Sequence, residues 1–273
     1  LAQIDHRFLM NTIFLGDVNF APFAEVAFIG NDFLHSSTAG ETAYINLKMK
    51  NVDMSKLTHV HSIGNNFLKN ISYLQSVKLP TLSDCDDETV INANYIPVDG
   101  EVAFLEAQIG EDFLSKTFEY DDGAGFIVES VLQSLDISPL AAIKKIPSFF
   151  LKGNIALESL DFSKFVDVYV IGDDFLAGCQ SIKELDFSVM DALQSAGKSE
   201  DIGIVIGENV VFGCNSLARV NMGDIKAMHI EIPSDMSAEH GSFVKVDWLS
   251  VDNPQFESIK VAASDFENYS DYD

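Results

Sequence analysis

The sequence predicts an α/β solenoid of about eight coils, each of about 25 residues, with a parallel sheet on one face and short helical or irregular legs on the other. Three observations carry this reading. The string Ile-Gly-x-x-Phe-Leu recurs intact at Ile29–Leu34, Ile63–Leu68, Ile109–Leu114 and Ile171–Leu176. An apolar triplet in the pattern L-x-x-L-x-L follows it, as in Leu74, Val77 and Leu79 after Phe67. The isoleucines that open the copies stand at 4, 29, 63, 109, 146, 171, 206 and 232, and the shortest steps between them are 25 or 26 residues. A fixed period of this length is the mark of stacked repeats, and it lies in the leucine-rich-repeat range of roughly 20 to 29 residues.

The first coil opens at Ile4 without the glycine, and its triplet is Leu15, Val18 and Phe20. In the second, an insertion at 35–43 precedes a triplet read as Tyr44, Leu47 and Met49. The third is regular, and a longer insertion, 80–108, follows its triplet. Coil four opens at Ile109 and takes an insertion at 115–131 before Leu132, Leu135 and Ile137. Coil five carries Pro147 where others have glycine and places Leu157, Leu160 and Phe162 in the triplet. The sixth, from Ile171, has Ile182, Leu185 and Phe187, with an insertion at 188–205 after them. Val210 and Val211 replace Phe-Leu in the seventh, followed by Leu217, Val220 and Met222. An eighth copy reads Ile232, Met236, Phe243, Val246 and Trp248. The chain is thus one α/β leucine-rich-repeat solenoid over 1–260 with a polar, acidic tail at 261–273 that is expected to fray.

Each triplet reads as a short strand whose alternate residues point inward, and each Ile-Gly segment as the return leg closing the coil over the same core. One coil cannot bury its apolar face alone, whereas stacked coils bury about five apolar side chains apiece, each worth roughly 1.5 to 3 kcal/mol. The glycine after each isoleucine is expected to supply a turn at positive φ. Asp32, Asn66, Asp112 and Asp174, two residues on, fit turn chemistry.

Composition narrows the function. Seventeen Lys and Arg against 42 Asp and Glu leave a formal charge of −25 on 273 residues, which repels phosphate backbones, so no nucleic acid partner is expected. Apolar runs such as Leu140–Ile143 and Val168–Ile171 fall far short of the roughly 20 residues that span a bilayer, so no transmembrane segment is expected. From Leu1 onward no basic-then-apolar leader is read, which leaves export undecided by this criterion. Three cysteines make no disulfide scaffold, and none stands in a CxxC pair.

The elements IGNNFLKNISYLQSVKLP (63–80), IGDDFLAGCQSIKELDFS (171–188) and IGENVVFGCNSLARVNM (206–222) resemble the BspA-like subgroup of leucine-rich repeats. VDNPQFESI (251–259) resembles the Asn-Pro-x-Phe-x-Ser-Ile punctuation of its bacterial members. The resemblance covers Ile4 to about Ile259, although the family's usual Ala-Phe is Phe-Leu here and the insertions are long. It implies a secreted or cell-surface, non-enzymatic protein that adheres to host proteins, cells or glycans, with an extracellular location. A structural spacer without a ligand of its own is the alternative, and a carbohydrate-active enzyme the third reading.

Positions between the last two inward residues of each strand should project outward, and they read Asn19, Lys48, Lys78, Asp136, Asp161, Asp186, Asn221 and Asp247. Asp136, Asp161, Asp186 and Asp247 are the candidate binding residues. Carboxylates on strands about 4.8 Å apart repel each other. Either solvent and neighbouring cations such as Arg219 and Lys245 compensate, or the face binds a basic protein or glycan ligand, or Ca²⁺. The clusters Asp84-Cys85-Asp86-Asp87-Glu88 and Asp121-Asp122 lack calcium-loop spacing, and His59 with His61 lacks a third ligand, so no metal or other cofactor is assigned. Cys179 and Cys214 share a register and are read as buried free thiols or a disulfide. There is no phosphate loop, G-x-S-x-G elbow or His-Glu-x-x-His, so no catalytic residue is named.

Overall fold

In the computed structural model the described residues are 3–12, 17–36, 49–94, 104–116, 118–119, 126–127, 130–190, 192, 207, 209–221, 230–231, 245–246 and 258–260. They form a repeat-like stack of short parallel strands with little helix. The described helix comprises the α-helix Glu88–Asn94 and two 3₁₀ turns, Ala21–Phe23 and Ser138–Leu140. No helix among these residues is long and apolar enough to cross a membrane.

Two parallel ladders run along the stack. One follows the triplets: Val18 pairs with Val52 and Val52 with Val77, a bridge joins Ser134 to Ser159, and Leu185 pairs with Val220 and Val220 with Ile259. The other follows the return legs, which were not expected to pair as strands. Ile4, Ile29, Ile63 and Ile109 form its first part and Ile146 with Ile171 its second. Between the ladders lies one apolar core reaching from Ile4 to Val220. Its axis is a column of phenylalanines, in which Phe8, Phe33, Phe67, Phe113, Phe150 and Phe175 stack near-parallel with centroids 5.0 to 5.6 Å apart. Each such pair adds about 0.5 to 1.5 kcal/mol beyond its buried area.

Turn geometry departs from the sequence expectation. Gly30, Gly64, Gly110, Gly172 and Gly207 are absent from the positive-φ residues, which instead include Asp32, Asn66, Asp112 and Asp174 at φ between 52° and 61°. The glycines serve a close approach. A Cβ on Gly110 would lie 2.5 Å from the backbone nitrogen of Asn65, and one on Gly64 2.7 Å from that of Asn31. Beyond the glycine, left-handed residues alternate with others, as at Asn66, Leu68 and Asn70 or Phe149, Leu151 and Gly153. Left-handed leucine and phenylalanine are costly, about 1 to 2 kcal/mol each. Hydrogen bonds between repeats hold them there: Asn66 N–H donates forward to Glu111 O (2.9 Å), Leu68 N–H back to Phe33 O (2.9 Å), and Asn70 N–H forward to Ser115 O (2.9 Å).

Two register readings are corrected. The second strand is Asn51–Asp53, so its buried triplet is Met49, Val52 and Met54 rather than Tyr44, Leu47 and Met49, and the outward residue is Asp53 rather than Lys48. Both triplets share Met49 and the same spacing, so pattern alone had no means of choosing between them. In the eighth copy, Lys245–Val246 pairs antiparallel with Ile230–Glu231. The strand beside Val220 is Ser258–Lys260, within the Asn-Pro punctuation, and Lys260 stands opposite Asn221. The tail at 261–273 lies outside the described residues, as do most of the insertions at 35–43 and 188–205. The insertion at 115–131 contributes an antiparallel pair, Phe118–Glu119 with Phe126–Ile127. That at 80–108 folds back, burying Cys85, Ile91 and Leu105 against Ala27 and Phe28 on the outer side of the return-leg ladder.

Alanine at two glycines separates close approach from backbone freedom. Gly110→Ala is expected to cost about 3 kcal/mol, because backbone of the preceding repeat must move. Gly213→Ala, with φ +73° but its nearest neighbour at 3.5 Å, should cost only the left-handed penalty of about 1 to 2 kcal/mol. Denaturant unfolding of the two variants checks the order.

Candidate functional site

The acidic column is where the outward positions were expected, and one oxygen of each described carboxylate takes part in a turn. Asp136, Asp161 and Asp186 are exposed, and Oδ1 of each accepts the backbone N–H two residues on, from Ser138 (2.9 Å), Ser163 (2.8 Å) and Ser188 (2.9 Å). Asp53 does the same for Ser55 (3.1 Å), and Asn19 for Ala21 (2.9 Å). Each closes the turn that leaves its strand, as short polar side chains do. The hydrogen bonds from Ser163 hold the Asp161 carboxyl below the usual range. Lys78 (2.7 Å) and Ser55 bring Asp53 down to about 2. Arg219 pairs with Glu184 across adjacent strands. Asp247 lies outside the described residues, and the ladder position after Asn221 is filled by Lys260. An Asp-x-Ser spacing, repeated at 53, 136, 161 and 186, was the sequence signal for this role.

Other singled-out groups are likewise accounted for. Asp84 Oδ1 accepts Ala107 N–H at 2.7 Å, and Asp87 Oδ1 caps the helix Glu88–Asn94 through Thr89 N–H at 2.9 Å. His61 Nδ1 lies 2.8 Å from the Ser83 carbonyl, whereas His59 is exposed beside Thr58. Among the described residues no three His, Cys, Asp or Glu side chains gather as a metal site. Cys179 and Cys214 are buried thiols in successive repeats that form no disulfide, bonding the carbonyls of Leu151 (3.2 Å) and Leu176 (3.3 Å). Burial pushes both thiols up, Cys214 to about 12, which suits packing rather than reactivity.

A different site emerges on the turn face, where residues after the Phe-Leu step of successive repeats line up. Positions three after the column phenylalanine are Asn70 and Lys116, then Gly153 and Gly178, with Gly213 in register after Val210. These glycines have φ of 73° to 77° and carry no side chain, so the stack is hollowed beside Lys116. The resulting groove encloses about 690 Å³ and is lined by Lys69, Asp112, Lys116, Phe149, Lys152 and Asp174 from the earlier repeats. Gln180, Asn209, Phe212 and Asn215 extend it along the later ones.

Its charges are unequal in environment. Lys69 pairs with Asp112 and Lys152 with Asp174, each at 2.9 Å, and Lys152 also sits 4.9 Å from the Phe149 ring centroid. Lys116 is 2% exposed, and its amine has no partner among the described residues. Desolvation lowers it from 10.5 to about 7. At the far end Phe212 is 54% exposed, an uncovered apolar ring among amides. Three lysines against two aspartates make the groove cationic when Lys116 is protonated, on a chain whose formal charge is −25. The sequence does not single out this groove, because Lys116 opens the 115–131 insertion, where the repeat register breaks; the aligned glycines 153, 178 and 213 are the signal it carries.

Comparison with known proteins finds no matching family model, no matching curated protein and no matching solved structure.

Between pH 7 and 10.5 the unfolded chain holds a proton that folded Lys116 gives up, so this residue makes stability rise with pH across that window. Lys116→Met, which removes the charge but keeps the volume, should stabilise the protein below pH 7 by ~5 kcal/mol at most, a gap that closes towards pH 10.5. Denaturant unfolding at acid and alkaline pH reads the difference. Asp186→Ala should cost about 1 kcal/mol by freeing the Ser188 N–H, whereas Asp186→Asn, which keeps the acceptor oxygen, should stay within about 0.5 kcal/mol of wild type in the same assay.

Proposed function

We propose that this chain is a leucine-rich-repeat solenoid of the BspA-like kind, acting as a non-enzymatic binding protein in the secreted or cell-surface setting that the resemblance implies. The groove from Lys69 to Asn215 is its ligand site. One observation carries the assignment: the groove wall keeps Lys116 buried with no partner for its amine among the described residues, a costly arrangement for the fold alone. Buried ionisable groups with displaced titration concentrate at functional sites, because a ligand supplies what the fold withholds. The exposed ring of Phe212 and the side chains of Gln180, Asn209 and Asn215 add contacts of the kind that ligand grooves use. The acidic strand positions close turns through Oδ1, a structural role that accounts for an aspartate at each of them without a ligand.

Immobilised extracellular-matrix proteins, whole host cells and a glycan panel form the test. Gln180→Trp with Asn215→Trp, both at exposed positions, should fill the groove and abolish whatever binding the wild type displays. The triple variant Asp136→Asn, Asp161→Asn and Asp186→Asn should bind as wild type. The reverse pattern would return the site to the strand face, and no binding by the wild type to any surface would favour the spacer reading.

A further inference from the structure

We infer that the groove recognises a glycan carrying a single carboxylate, of sialate or uronate type, with the carboxylate at Lys116 and the sugar face on Phe212. The inference rests on the groove being the ligand site and deepens that reading.

Charge points to an isolated anion. Asp112 and Asp174 are already paired with Lys69 and Lys152, so among the described residues an incoming carboxylate meets the Lys116 ammonium without displacing an existing pair. A polyanion fits poorly, because beyond this cation the chain is strongly acidic and repulsion grows with every added charge. At physiological ionic strength screening over about 8 Å lets one carboxylate reach the groove with little long-range penalty.

Shape and lining point to a sugar rather than a peptide. An extended peptide binds along a sheet edge through free backbone donors and acceptors. Here such groups along the groove are spent between repeats: Lys116 N–H donates to Lys152 O (2.7 Å), Gly153 N–H to Ala177 O (2.7 Å) and Gly178 N–H to Phe212 O (2.6 Å). The groove also presents the amide side chains of Gln180, Asn209 and Asn215, which match hydroxyl groups in both donor and acceptor capacity. Phe212 offers an exposed apolar ring to the CH face of a pyranose, and the space of about 690 Å³ holds a di- or trisaccharide. Protonation of Lys116 is required for the contact, and the ionisable groups sharing its groove are Lys69, Asp112, Lys152 and Asp174.

Calorimetry with the full chain at neutral pH and physiological salt tests the inference. The probes are sialyllactose, its methyl ester, lactose, a glucuronyl-glucose disaccharide, and a short neutral peptide ending in glutamate. One or both acidic sugars should bind at least about tenfold more tightly than the ester or lactose, and which of them binds distinguishes the two carboxylate sources. Lys116→Met should abolish that preference while leaving residual binding of the ester unchanged, and Lys116→Arg should retain part of it. Phe212→Ala should weaken acid and ester alike. Equal binding of acid and ester, an unaltered preference in Lys116→Met, tighter binding of the peptide, or no sugar binding would each overturn it. Failure here together with groove-dependent binding in the surface panel removes only the ligand class; loss of groove dependence in that panel removes the underlying site.

Discussion

Backbone hydrogen bonding from one turn to the next is the constraint on which the rest of this structure depends. Leu34 N–H reaches back to Phe8 O, Leu68 to Phe33, Leu114 to Phe67 and Leu151 to Phe113, at 2.7 to 2.9 Å. To make these bonds the turns come so close that no Cβ fits at Gly30, Gly64 or Gly110. The same bonds hold leucines and asparagines in left-handed conformations that they would not adopt alone. Ring stacking follows from this spacing, because backbones held at hydrogen-bonding distance set the phenylalanine centroids 5.0 to 5.6 Å apart. Side chains reinforce the turns: Asn65 N–H donates to Asn31 Oδ1 and Glu111 N–H to Asn65 Oδ1, at 2.9 and 3.0 Å.

Such a frame separates stability from recognition. Inside, the columns of isoleucine, phenylalanine and leucine are buried and alike in kind, and their cysteines behave as small apolar residues with carbonyl partners. Outside, the Asx positions close the turns, so an exposed row of carboxylates performs structural work that its charge alone does not reveal. The groove on the turn face is the exception to this consistency. There Gly178 and Gly213, at positive φ, leave the stack without side chains, and Lys116 is kept desolvated beside the gap, a charge burial for which a fold under selection for stability alone has no use.

Insertions divide in the same way. The segment at 80–108 adds a small second core, with Asp87 capping its helix and Ile91 buried beside Cys85 and Leu105. Its acidic residues, which looked like a cluster of oxygen ligands in the sequence, include Asp84 bonded to Ala107 N–H and Asp87 bonded to the helix N-terminus. A run of charges in one dimension became separate caps in three.

By itself the sequence determined the repeat period, the inward residues of most triplets and the parallel sense of the strands, because each of these depends on local spacing repeated many times. It also placed Cys179 and Cys214 in one register, since no insertion separates either from its column residue. Tertiary structure decided what spacing left degenerate. It chose Val52 for the second strand, where two triplets shared Met49, and Ile259 rather than Val246 for the place beside Val220. It also brought together Lys69, Lys116, Lys152 and Phe212, which come from four repeats. Their proximity arises from stacking across insertions of unequal length, and a one-dimensional pattern does not encode which side chains such stacking brings to one groove.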